Sequence, residues 1–383
     1  MKTYDEKVAL CALNKIFGYH PRLALDLIRR AGTALAVFDS PPSLPDHPEL
    51  SSEVTPAALE WAHGELSRVA GSGFRFLCLA DDDYPSVLRE CPDPPLGLYL
   101  NGCTSPTEIF GLRPMIGVVG TRDISPYGRE WARKLVETMA SCPVHPCIVS
   151  GLAFGADGIA HRAALDRGLC TIGVMATGID SIYPWQHEKL ACAIVGTPGC
   201  ALLTDYPLGT APVALNFLRR NRIVAGLVSA VIVVESRTKG GSLMTARYAC
   251  DYGREVFAVP GRLDDLRSAG CNSLIHENMA RIVTTAEVLA ADLGLGIRVR
   301  GAGGSWHEGL RIRLERLFGA DSPLVALGQA IQEHRGSSVE ELSALLSCPY
   351  ATVLADVGTL EASGVIVTDF LRRCSLAPGW DWS

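Results

Sequence analysis

What most constrains the fold of this chain is a series of short apolar, β-rich runs. They occur at Met115–Gly120, Cys147–Gly151, Cys170–Thr177, Ala201–Thr204, Ala230–Glu235 and Glu255–Val259, with helical patterns such as Trp131–Met139 and Ala160–Leu165 between them. The runs are continuously apolar rather than alternating, which predicts strands covered on both faces. Repetition of strand, helix, strand then predicts an α/β fold, a Rossmann-like doubly wound parallel sheet. In such sheets ligands gather at the carboxyl ends of the strands. The residues at those ends are therefore the place to look for function.

The chain has 383 residues, room for two or three domains. Residues 1–65 are helical in pattern, broken by Pro41, Pro42 and Pro45, with a Phe17–Pro21 turn between two amphipathic stretches. They predict a helix-hairpin-helix or SAM-like module. Residues 66–292 form the Rossmann-like domain, and 293–319 form a linker that opens on the Gly-rich LGLGIRVRGAGGSW. Residues 320–383 predict a winged-helix-like domain, with Ser338 capping SVEELSALL and a wing in GVIVTDFLRRCSLAPG.

The 13 cysteines include no Cys-x-x-Cys pair, so neither a metal nor any other cofactor is expected, and a reduced cytoplasmic setting is. No run approaches the roughly 18 apolar residues of a membrane span, and the N-terminus lacks a secretion pattern. Net charge is −6, but Met115–Thr285 holds 17 Lys/Arg against 14 Asp/Glu while the remainder is at −9. The centre is the one region suited to an anionic partner.

The strand ends concentrate glycine, arginine and lysine. The first run ends in Gly120-Thr121-Arg122, before Ser125-Pro126, a cap and first residue for a helix whose free N–H groups would suit a phosphate. The second ends in Gly151-Leu152-Ala153-Phe154-Gly155-Ala156-Asp157, with Asp157 placed to cap the next helix. Asn216, Phe217, Arg219, Arg220, Asn221 and Arg222 are expected at the head of a helix, and Lys239, Gly240, Gly241 and Ser242 follow the fifth run. Arg122, Arg220, Arg222 and Lys239 would converge on one rim, with Phe154, Tyr183 and Phe217 as rings nearby. A cationic groove with stacking rings is how single strands are held. Asp157, Asp205 and Glu235 read as supporting carboxylates, the last two holding the nearby arginines. No P-loop and no Gly-x-Gly-x-x-Gly after a strand is present.

Together, VVGTRDISPYG, IVSGLAFGADGIAHRAAL, GVMATGIDSIYP, NFLRRNRIVAGL, VIVVESRTKGGSLMTARYA, VFAVPG and CNSLIHENMA resemble the DprA/Smf family, as does DDDYPSVLRECPDPPLGLYLNG upstream. The resemblance is dense from about 80 to 290. It implies sequence-independent binding of single-stranded DNA, homodimerisation, and loading of the RecA recombinase during natural transformation. Its phosphate-binding arginine falls on Arg122, its Arg-Asn-Arg on Arg220, Asn221 and Arg222, and its loop lysine on Lys239. Two positions depart from the common pattern: Phe154 stands where many members have Arg, and Gly240 where many have Ser.

A binding protein rather than an enzyme is the expectation. The alternatives are a nucleotide hydrolase of the phosphoribohydrolase type, whose loop glutamate is missing from Lys239–Arg247, and a metal-dependent nuclease using Asp157, Asp205 and Glu235. From Asp321 to Gly364 Arg335 is the sole base against six acids, so the C-terminal domain is not expected to read duplex DNA.

Overall fold

The computed structural model describes residues 2–296 apart from 42 and 112, residues 306–368 apart from 321 and 335, residues 373–377, and residue 380. Pro42, the linker residues 297–305, Asp321, Arg335 and Arg372 thus lie outside the described residues. The chain divides into two compact units, Met1–Ile297 and Arg298–Ser383.

The first unit is built on one nine-stranded sheet. Its strands are β1 (Arg75–Cys78), β2 (Gly97–Asn101), β3 (Met115–Val119), β4 (Cys147–Ser150), β5 (Thr171–Val174), β6 (Ala201–Thr204), β7 (Ala230–Val233), β8 (Glu255–Ala258) and β9 (Arg281–Ile282). They lie in the order β1-β2-β6-β5-β4-β3-β7-β8-β9. All neighbours from β6 to β9 pair in parallel, whereas β1 with β2 and β2 with β6 are antiparallel. The Rossmann-like reading of the sequence holds. The antiparallel β1–β2 pair and the short β9 extend the sheet beyond the six predicted strands.

Alternate residues of each central strand supply two separate cores. Val119, Val149, Ile172, Val231 and Val233 pack on one face with Ile223, Leu227 and Leu243 from the helices Ala214–Leu227 and Gly241–Asp251. Ile116, Val118, Ile148 and Ile232 pack on the other with Leu135 and Ala160 from Pro126–Ala140 and Ala156–Asp166. Burial on both faces is what a continuous apolar run encodes.

The chain steps outward from β3 to β6, then the Ala214–Leu227 helix carries it back across to β7. The strand order therefore reverses between β3 and β7, which opens a crevice at their carboxyl ends.

The N-terminal helices share a core with the sheet edge: Leu13, Phe17, Leu66 and Val69 pack with Phe76, Tyr99 and Leu202. Asn14 fastens this layer. Its side chain donates to the Asp205 carbonyl at 2.8 Å and accepts from the Gly97 amide at 3.1 Å.

The second unit contains the helices Trp306–Phe318, Pro323–Glu333, Val339–Leu346 and Tyr350–Ala362, with β10 (Ser337–Ser338), β11 (Ile366–Thr368) and β12 (Arg373–Leu376) in an antiparallel sheet ordered β10-β12-β11. Ser338 caps its helix as expected and forms a full capping box with Glu341. Among the described residues no single helix is long and apolar enough to cross a membrane.

Candidate nucleic-acid interface

A cleft of about 700 Å³ opens at the ends of β3, β4 and β7, where the strand order reverses. Gly120, Thr121 and Arg122 form one wall, Gly240, Gly241 and Ser242 another, Gly151 and Arg220 lie in the floor, and Tyr183 and Phe217 stand at the side. The loops interlock. The Thr121 amide donates to the Glu235 carbonyl at 2.7 Å, and the Ala156 amide donates to the Thr121 carbonyl at 3.2 Å. Gly155 has φ +76° and passes so close that a Cβ would lie 2.2 Å from the Thr121 oxygen, so only glycine fits there.

Arg122 is exposed, and its guanidinium lies 4.9 Å from the Phe217 ring centroid. The neighbouring Asp123 also lines the cleft, and its carboxylate pairs with Arg237 and Arg267 at 3.3 and 3.6 Å. Arg122 itself forms no ion pair among the described residues. Across the cleft the Gly241–Asp251 helix begins without a side-chain cap. The positive pole of that helix and its free N–H groups thus face the same space as Arg122.

The helix start that the sequence reads as a phosphate site, after Ser125, is already occupied. Ser125 does cap Pro126–Ala140, accepting from the Gly128 amide at 3.0 Å. The buried Glu235 carboxylate lies beneath, however, and takes the Ser125 amide at 2.8 Å. A carboxylate at that pole offsets the field a phosphate would use. Glu235 was expected to hold an arginine; it holds a helix start instead.

The arginine cluster does not converge on one rim, and it sits within its helix rather than at the head. At 3.6 residues per turn the cluster is dealt to two faces. Phe217, Arg220 and Asn221 line the cleft. Arg219 and Arg222 line a second depression with Tyr19 and His20 of the N-terminal layer. There Arg222 pairs with Asp205 at 2.7 Å, both side chains almost wholly buried. Arg219 lies over the Tyr19 ring and donates to the Tyr19 carbonyl. Asn216 is buried and accepts from the Tyr19 hydroxyl at 2.5 Å. The period of the helix divides the cluster between two faces, and the fold decides which face meets the N-terminal layer.

Arg220 is a buried cation in the cleft floor. It donates to the Gly151 and Val174 carbonyls, and a Cβ on Gly151 would lie 2.5 Å from its guanidinium. Asp157 sits beside it at the start of the Ala156–Asp166 helix, accepting from the Ala153 amide at 3.3 Å. Burial pushes the Asp157 carboxyl above its usual range, against the pull of Arg220. The floor thus holds a built-in arginine with a carboxyl group beside it.

Lys239 is exposed on the Arg237–Gly240 turn and does not line the cleft. Gly240 makes room for the Ser236–Ser242 hydroxyl pair, since a Cβ there would lie 2.2 Å from Ser236 Oγ. Phe154 is 41% exposed and packs edge-on to His187 at 5.1 Å, so this position offers a ring and no charge. Asp157, Asp205 and Glu235 are each committed separately, and among the described residues no group of three His, Cys, Asp or Glu is placed to hold a metal.

Against known proteins, the family model for DNA recombination-mediator protein A matches residues 75–294. Protein Smf of Synechocystis sp. is 41% identical over 220 residues, 57% of this chain and 54% of that protein. The chain therefore spans about half the length of that relative. DNA processing protein DprA of Streptococcus pneumoniae is 38% identical over 217 residues, 57% of this chain and 74% of that protein. The X-ray structure of S. pneumoniae DprA aligns at TM-score 0.59 and 31% identity over 76% of this chain and 96% of that one. A Helicobacter pylori DprA structure, described as giving insight into a single-stranded DNA binding mode, aligns at TM-score 0.51 and 30% identity over 57% of this chain and 95% of that one.

Proposed function

The chain belongs to the DNA recombination-mediator protein A family, and on that footing we propose that it binds single-stranded DNA without sequence preference in the cleft between β3 and β7. One observation carries this reading: exposed Arg122 faces an uncapped helix pole across a floor that holds a buried arginine. Two positive features and a fixed cation line a space open to solvent, which suits a polyanion threading through. Phosphates meet Arg122 and the amides near Gly241, and Lys239 adds charge from the turn outside. Contacts of this kind go to phosphates, which carry no sequence information, so no sequence is read.

In the same proposal the protein is a cytoplasmic homodimer that protects incoming strands and hands them to the RecA recombinase in transformation or recombination. It acts by binding, with no covalent step and no cofactor. The division into 1–65, 66–292, 293–319 and 320–383, with a winged-helix-like last domain, belongs to this proposal too. The order of helices and antiparallel strands in the second unit supports that last part.

The test is a gel shift of labelled homopolymer and mixed-sequence strands, run with Mg²⁺ or Mn²⁺ present. Similar affinity for all strands and no fragments is the expected result. Strong preference for one sequence, or steady cleavage lost in Glu235→Ala, would refute it.

A further inference from the structure

Three exposed rings stand on the loops beside the cleft, and one of them, Tyr183, lines it. Phe154 is 41% exposed, Tyr183 43% and Trp185 73%. Single exposed aromatics are ordinary, but these three stand on the loops that follow two adjacent strands, β4 and β5.

Phe154 and Tyr183 are each held by a neighbouring ring, and Trp185 is positioned by its backbone. Phe154 precedes the Gly155 turn and packs edge-on to His187. His187 is buried and bonded through Nδ1 to the Leu152 carbonyl at 2.9 Å, which ties the β5 loop to the β4 loop. Trp185 opens the single helical turn Trp185–His187 that ends on this anchor. Tyr183 lines the cleft and meets Phe217 edge-on at 5.4 Å. Phe154 and Tyr183 therefore have little conformational freedom left to lose when something stacks on them, which favours binding.

We infer that Phe154, Tyr183 and Trp185 form a base-stacking platform for the same strand whose phosphates reach Arg122. The inference rests on the strand-binding reading above. Arg122 and the pole of the Gly241–Asp251 helix mark one track, on the β3 and β7 side of the cleft, and rings mark a second, on the β4 and β5 side. A single strand is the ligand that carries phosphates along one edge and apolar ring faces along the other. Every base has such a face, so the platform adds affinity without adding sequence preference. At Phe154, a ring replaces the arginine of the common family pattern, so contact moves there from phosphate to base.

The test compares two fluorescent probes of equal length, oligo-dT and an oligonucleotide with abasic sites in place of its bases, by anisotropy across a salt series. Trp185→Ala should weaken oligo-dT binding at least about fivefold and leave the salt slope unchanged, since no phosphate contact is lost. Trp185→Phe should restore most of that loss. The abasic strand should bind wild type and Trp185→Ala equally. Trp185 is too exposed for either variant to threaten folding. Wild-type affinity of Trp185→Ala for oligo-dT, or an equal loss on both probes, would overturn the platform. Arg122→Ala run alongside separates the failures. If it weakens both probes with a shallower slope while Trp185→Ala does nothing, only the platform falls. If neither variant changes binding, the strand-binding cleft falls with it.

Discussion

Arg222 lies against the Asp205 carboxylate with side chains 6% and 5% exposed. Removing one partner of a buried pair leaves the other charge uncompensated, a loss of about 3–5 kcal/mol. Arg222→Ala should therefore unfold at markedly lower denaturant, whereas Arg122→Ala, at an exposed position, should stay within about 0.5 kcal/mol of wild type. Equal midpoints for the two variants in urea would contradict the roles assigned to them. His161 sets a second prediction at this scale. Its Nδ1 meets Thr171 Oγ1 at 2.6 Å and its Nε2 is buried without a partner. Burial lowers its pKa from 6.5 to about 3, with the His187 and Arg220 charges adding to the effect. The unfolded chain thus takes up the proton first as pH falls. The stability that neutral His161 allows is complete above about pH 6.5 and declines toward pH 3, by about 1.4 kcal/mol per unit. Between pH 7 and 5, wild type should lose about 2 kcal/mol more than His161→Gln does. Parallel losses would show that His161 does not titrate in this window.

At the scale of elements, the helix Ala214–Leu227 shows both what the sequence carried and what it hid. Its cluster of arginines was visible at once, and so was its place near the strand ends. The sorting of side chains was not, because it depends on which face meets the N-terminal layer. Arg222 reads as a rim cation until Asp205, 17 residues away, is brought beside it. Glu235 likewise sits at the end of a predicted strand, but its partner, Ser125, is 110 residues away. The six central strands were legible because burial on both faces leaves a continuous apolar run. β9 was missed because it is two exposed residues. The Lys2–Phe17 helix is fixed to the sheet by Asn14. Asn14→Ala strands a buried carbonyl and a buried amide, at about 1–3 kcal/mol for each group. Its denaturation midpoint should fall with m unchanged; an unaltered midpoint would mean the layer is held by apolar contact alone.

At the scale of the whole molecule, the second unit has its own core, with Leu314, Ile331, Leu342 and Leu360 buried within it. Its Tyr350–Ala362 helix, the one a winged helix would lay in the major groove, contains no Lys or Arg but has Asp356 and Glu361. Residues 305–383 alone should not bind duplex DNA near physiological salt, and micromolar binding to a random duplex would overturn that. The homodimer is tested on residues 1–300 by light scattering at micromolar concentration, where a strict monomer with and without DNA would count against it. The central claim, that Arg122 carries a phosphate of a bound single strand, is tested most directly by the salt dependence of oligo-dT affinity. Losing one phosphate contact lowers the magnitude of the log–log slope by about 0.7. Arg122→Ala should bind more weakly with that shallower slope, and wild-type affinity with an unchanged slope would contradict the claim.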